Sequence, residues 1–91
     1  MEDKVLWALK KSAYQRKTMI ICMDVSIKRN ELGLGIADFA AQLSLPERVI
    51  YDIEHFKVHN VDRESFEKVF RVLGLNLEGI DYIFGGMNLW Y

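Results

Sequence analysis

Arg48 and Tyr51 are the side chains of this chain best equipped to read a nucleic-acid base. Arginine carries a planar fork of donors that can meet O6 and N7 of guanine, and a tyrosine three residues on can reach a base or a phosphate from the same side of a helix. The helix follows from the neighbours. Val49, Ile50 and Ile53 have the spacing of a buried stripe, which turns Glu47, Arg48, Tyr51, Asp52 and His55 outward. Glu47 can accept a hydrogen bond from cytosine N4, while Glu47 and Asp52 together bring two negative charges close to any phosphate. The plainer alternative for this face is an ordinary solvated helix surface.

One element earlier, Ile36, Phe39, Ala40 and Leu43 form another helical stripe, and Ser44-Leu45-Pro46 breaks the chain between the two. Two short helices joined by a tight turn are the pattern of a helix-turn-helix. The run Arg29-Asn30-Glu31-Leu32-Gly33-Leu34, followed by Phe39-Ala40, Leu43-Ser44-Leu45, Ile50 and Ile53-Glu54, resembles the Cro and phage-repressor (XRE) helix-turn-helix family. The likeness covers roughly residues 21 to 81. It continues into Phe66, Val69, Leu73-Gly74-Leu75 and Leu77-Glu78-Gly79-Ile80, which are similar to the fourth and fifth helices of such domains.

The resemblance implies an all-α, five- or six-helix, lambda-repressor-like domain that binds duplex DNA in a sequence-specific way and regulates transcription as a repressor does. It further implies a homodimer reading two half-sites through residues 46 to 55. Arg29 and Glu54 match positions whose side chains commonly pair across the domain, a structural role. Two positions depart from the family. Where its members commonly carry a Ser or Thr cap and a Gln that touch the DNA backbone, this chain has Gly35 and Ile36, so only backbone N–H groups remain to bind a phosphate. Where the family usually has Gly after the second motif helix, this chain has Phe56, and a bulky side chain is strained in the left-handed region. The helix is therefore expected to run on, to stop at Asn60, and to bring His55 and His59 into an i, i+4 pair. That is also a zinc spacing, but no second ligand pair accompanies it, so surface histidines and no metal are expected.

The remaining elements follow from periodicity. Residues 4 to 16 read as an added N-terminal helix, which related domains usually lack, with Val5, Leu6, Leu9 and Ala13 buried and Lys10, Lys11 and Arg16 solvated. A second helix is expected from Met19 to Leu32, capped by Thr18, with Ile20, Met23 and Ile27 inward and Gly33 closing it. Neither Gly nor Pro separates the two, so one fused helix is the alternative. Asp62 is a suitable cap for a helix from Arg63 to Leu73 with Phe66, Val69, Phe70 and Leu73 inward and Gly74 as the stop. A last helix should span Leu77 to Phe84. Gly85-Gly86 then releases an apolar tail, Met87 to Tyr91. The chain reads as one domain over 1–91, with an extension at 1–17, a core at 18–84 and a tail at 85–91; no β pattern or repeat interrupts it.

The net charge of -1 hides an asymmetry. Up to Gly33 there are seven basic and four acidic residues, and beyond it five basic and nine acidic. Lys10, Lys11, Arg16 and Lys17 are accordingly expected to supply general attraction to phosphates. The tail carries more apolar surface than a domain of this size can readily inter, so Tyr82, Phe84, Trp90 and Tyr91, joined by Trp7, are expected to form the dimer interface. A tail folded back on its own core is the alternative. Lone Cys22, among Ile20, Ile21 and Met23, reads as a buried, inert thiol. Nothing resembles a nucleophile with its base, a phosphate loop or a paired-carboxylate site, so neither an enzyme nor a cofactor is expected. The longest apolar run, Met19 to Met23, is too short for a bilayer, and Met1-Glu2-Asp3-Lys4 lacks the basic start of a signal peptide, which suggests a cytoplasmic protein with no membrane partner. The rival to DNA binding is a related domain that kept the fold for protein contacts, as an antirepressor, antitoxin or regulatory partner.

Overall fold

Thirty consecutive residues without glycine or proline form a single helix, α1 (Glu2–Glu31), in the computed structural model, which describes residues 2–90. The N-terminal extension and the next helix are therefore one rod. At about 1.5 Å per residue α1 is about 45 Å long, and it sets the longest dimension of the molecule, 49 Å. Thr18 lies in the middle of α1, fully buried, and caps nothing. Its expected role required a chain break that the sequence does not supply.

Four shorter helices follow: α2 (Ile36–Gln42), α3 (Glu47–Glu54), α4 (Arg63–Leu73) and α5 (Glu78–Gly85), with 3-10 turns at Val58–Asn60 and Met87–Leu89. The described residues contain no strand, and the fold is all-α. α1 packs against α3, α4 and α5, and α2 against α3. The shared core contains Cys22 and Val25 of α1, Phe39, Ile50, Ile53, Phe66, Phe70, Ile80 and Ile83. Burial pushes the Cys22 thiol up to about 12, which leaves it protonated and unreactive at neutral pH.

The inward face of α1 is not the expected one. Tyr14, Thr18, Cys22, Val25 and Arg29 are buried, whereas Val5, Leu6, Leu9, Ala13, Ile20, Met23 and Ile27 are exposed. Ile20 and Cys22 stand about 200° apart around the helix, so the two sets occupy opposite faces. Two of the inward residues carry polar ends that find partners in the fold: the Tyr14 hydroxyl donates to the Ile83 carbonyl at 2.6 Å, and Arg29 donates to Glu54. Hydrophobicity alone points to the other side.

Four helices end in one way. A left-handed residue, Gly33 (φ 71°), Ser44 (56°), Phe56 (64°) or Gly74 (70°), lets the next N–H reach back to the helix. The bonds run from Leu34 to the Arg29 carbonyl, Leu45 to Ala40, Lys57 to Asp52 and Leu75 to Phe70. α3 thus ends at Glu54, and the expected extension to Asn60 does not form. Phe56 accepts the left-handed conformation because its ring packs against the core.

Candidate nucleic-acid interface

Pro46 fixes the backbone at the start of α3 (φ -61°), and Ile50 and Ile53 bury its inner side. Glu47, Arg48, Tyr51 and His55 are exposed on the outer side. Asp52 is not. Its side chain is only 5% exposed and accepts a hydrogen bond from Arg48 Nε at 3.0 Å. The expectation that Asp52 faces outward fails because the chain turns back after Phe56 and lies along that flank, with the Lys57 N–H bonded to the Asp52 carbonyl at 2.7 Å.

The consequence is an ordered cationic edge. Asp52 holds Nε of Arg48, while the Arg48 side chain remains 69% exposed and presents its terminal nitrogens to solvent. Two cations approach the Tyr51 ring, with Arg48 Cζ 5.6 Å and Lys57 Nζ 5.7 Å from its centroid. His55 stacks on the same ring at 3.9 Å between centroids, and its Nδ1 lies 2.8 Å from the Tyr51 carbonyl oxygen. Ile36, Glu47, Arg48, Tyr51 and Lys57 line a shallow depression of about 500 Å³.

Lys57 was not singled out from the sequence, although a signal exists. At three of the four helix closures the residue after the left-handed position is leucine, half-buried against the core; at the fourth it is an exposed lysine. The same closure separates His55 from His59, which lies in a 3-10 turn, so the two do not form an i, i+4 pair on one helix. No group of three His, Cys, Asp or Glu that could hold a metal occurs among the described residues.

Arg29 and Glu54 meet in a two-pronged ion pair, Nε to Oε2 at 2.7 Å and Nη2 to Oε1 at 2.8 Å, with side-chain exposures of 10% and 6%. Arg29 Nη1 also donates to the Leu34 carbonyl at 2.7 Å. Hydrogen bonding to Glu54 raises the Arg29 pKa and keeps the guanidinium charged despite burial. The pair ties the end of α3 to α1 and to the chain entering α2, so it orients the Arg48–Tyr51 face without forming part of it.

Lys10, Lys11, Arg16 and Lys17 sit elsewhere. They lie about 18 to 28 Å along α1 from Arg29. Lys17 Nζ stands 4.4 Å over the Tyr82 ring of α5, Lys11 Nζ 5.0 Å over Trp7, and Arg16 donates to Ser12 Oγ at 3.3 Å. Lys10 borders a depression with Tyr14, Tyr82 and Gly86. These four side chains are not brought together with Arg48 and Tyr51.

The tail aromatics make contacts within their own chain. Tyr82 stacks on Tyr14 at 5.6 Å, Trp90 meets Tyr14 edge-on at 6.2 Å, and Phe84 meets Phe66 edge-on at 5.7 Å. Gln15 Nε2 fixes the tail by donating to the Trp90 carbonyl at 2.9 Å. Buried Tyr14 thus partly covers Tyr82 and Trp90 within their own chain, and Phe66 covers Phe84; Tyr91 lies outside the described residues. No protein-family model matches this chain, and no solved structure matches it at a significant level.

Proposed function

We propose that this chain is a helix-turn-helix regulator of the Cro and phage-repressor type that binds duplex DNA in a sequence-specific way, with α3 entering the major groove. The observation that carries the reading is Arg48, fixed by buried Asp52, beside Tyr51 on the exposed face of α3, with Lys57 of the following turn next to them. A guanidinium held at Nε loses little freedom when its terminal nitrogens meet guanine O6 and N7. Asp52 contributes no free negative charge to this face, since Arg48 neutralises it, and Lys57 supplies a cation for a neighbouring phosphate. Glu47 remains as an acceptor for cytosine N4.

The test is selection of bound sequences from random duplexes, followed by affinity at two salt concentrations. A defined consensus and a steep fall of affinity with salt are expected. Absence of binding above background at low salt would replace this reading with the protein-contact one, in which the same depression receives a partner's side chain.

A further inference from the structure

We infer that the outward face of α1 is the surface on which a second copy of this chain docks, antiparallel, through a short coiled-coil seam. This inference is independent of DNA binding and is tested without DNA.

Leu6, Leu9, Ala13, Ile20, Met23 and Ile27 are all exposed in the single chain, and their spacing alternates three and four residues, with Arg16 at the one intervening position. That is a heptad seam maintained for three heptads, on the side opposite the core. Buried Tyr14, Cys22 and Val25 already anchor α1 to its own domain. The second stripe has no intramolecular task. An apolar strip of this length, interrupted at Arg16, marks an interaction surface on a small domain.

The flanking charges identify the occupant. Along one edge of the seam, in the heptad position after the Leu9 and Met23 register, stand Lys10, Lys17, Asp24 and Glu31: two cations and then two anions. When two such helices run antiparallel, this edge of one faces the same edge of the other. In the register that puts Ile20 against Met23 of the second copy, Lys17 comes opposite Asp24 and Lys10 opposite Glu31, and twofold symmetry repeats both pairs. Sliding by one heptad puts Lys17 against itself. A parallel pair would instead oppose Arg16 with Arg16 and set the charged edge against Ser12, Met19 and Ser26. A lipid surface fits worse, because anionic headgroups would repel the Asp24 and Glu31 half.

In the favoured register Arg16 lies over Ile27 of the second copy and can cover it with its methylene stem. Leu6 and Leu9 run past the end of the second copy's α1 towards its exposed Leu32. Glu31 already forms an i, i+3 pair with Lys28 at 3.4 Å, and Lys17 lies over the Tyr82 ring; both are exposed residues, so Glu31 can accept a second cation and Lys17 can turn to Asp24 of the second copy. The interface is isologous, as expected of a closed dimer.

The experiment measures mass by sedimentation equilibrium over a range of protein concentrations, with helicity followed by circular dichroism. The wild-type chain should be a dimer, and Ile20→Asp, at an exposed position, should weaken dimerisation more than about tenfold with helicity retained. Lys10→Glu with Lys17→Glu should do the same, and so should Asp24→Lys with Glu31→Lys. Mixing these two double variants, or combining all four changes in one chain, should restore association to within about threefold of wild type. A monomeric wild type at the highest concentration reached overturns the proposal, as does a dimer indifferent to Ile20→Asp. A dimer that responds to Ile20→Asp but not to the charge reversals overturns the antiparallel register.

Discussion

Arg29 and Glu54 show how a charged pair can be both buried and favourable. Two parallel hydrogen bonds satisfy Glu54, and the Leu34 carbonyl takes a further donor of Arg29, so the pair carries its own solvation. Removing either partner strands the other in a site closed to water, and Arg29→Ala or Glu54→Ala should each cost about 3 kcal/mol, with strong coupling in a double-mutant cycle. Additive effects would mean the two side chains merely lie close. Ser44 and Phe56 pose a second question at this scale, since both are held at positive φ. Ser44 is exposed, so Ser44→Gly should gain about 0.5 to 1 kcal/mol by releasing strain. Phe56 packs against the core, and Phe56→Gly should lose more contact than it relieves, for a net cost of about 1 kcal/mol. Chemical denaturation of the two variants should therefore give opposite signs.

At the scale of elements, the inward stripes of α2, α3 and α4 were legible, and that of α1 was not. Arg63–Leu73 matches its expected bounds because one apolar stripe and left-handed Gly74 agree with one another; Asp62 stands at the N-cap position without a side-chain cap hydrogen bond. α1 misleads because it carries two apolar faces, and the more hydrophobic one is turned to solvent. The chain chose the face whose tyrosine and arginine meet groups contributed by distant residues, and such meetings leave no local pattern. Asp52 was misplaced for a related reason: its burial depends on a left-handed Phe56 that sterics argue against. The tail follows the same logic, since its place was set by Tyr14, one residue among the many of an extension that reads as an addendum. Gly86 tests that arrangement. A Cβ there would fall 2.4 Å from the Tyr14 ring, which Ile83, Tyr82 and Trp90 hold in place, whereas a Cβ on Gly85 meets nothing within 4 Å. Gly86→Ala should cost about 1 to 3 kcal/mol by overpacking. Gly85→Ala, at a helical position in open space, should be neutral or stabilising by up to about 1 kcal/mol.

For the whole molecule, the separation of charge along α1 decides which cations can serve one ligand. The sequence asymmetry suggested that Lys10, Lys11, Arg16 and Lys17 reinforce the reading helix, but the rod carries them away from it, beside α5 and the tail. Lys57, from the acidic half of the chain, stands within reach of Tyr51 instead. Three variants therefore separate the roles in the proposed DNA complex. Arg48→Ala should cost about 1 to 3 kcal/mol on the preferred duplex and relax base choice at one position, because it removes a bidentate contact to a base edge. Lys57→Ala should weaken preferred and random duplexes alike and reduce the slope of log affinity against log salt by about one, the signature of a single lost phosphate contact. Lys11→Ala, outside the proposed α1 seam, should leave both base choice and that slope unchanged, since this side chain lies over Trp7 and shares no surface with α3. A slope that falls with Lys11→Ala but not with Lys57→Ala would move the phosphate track to the far end of α1 and detach it from the face that Arg48 defines.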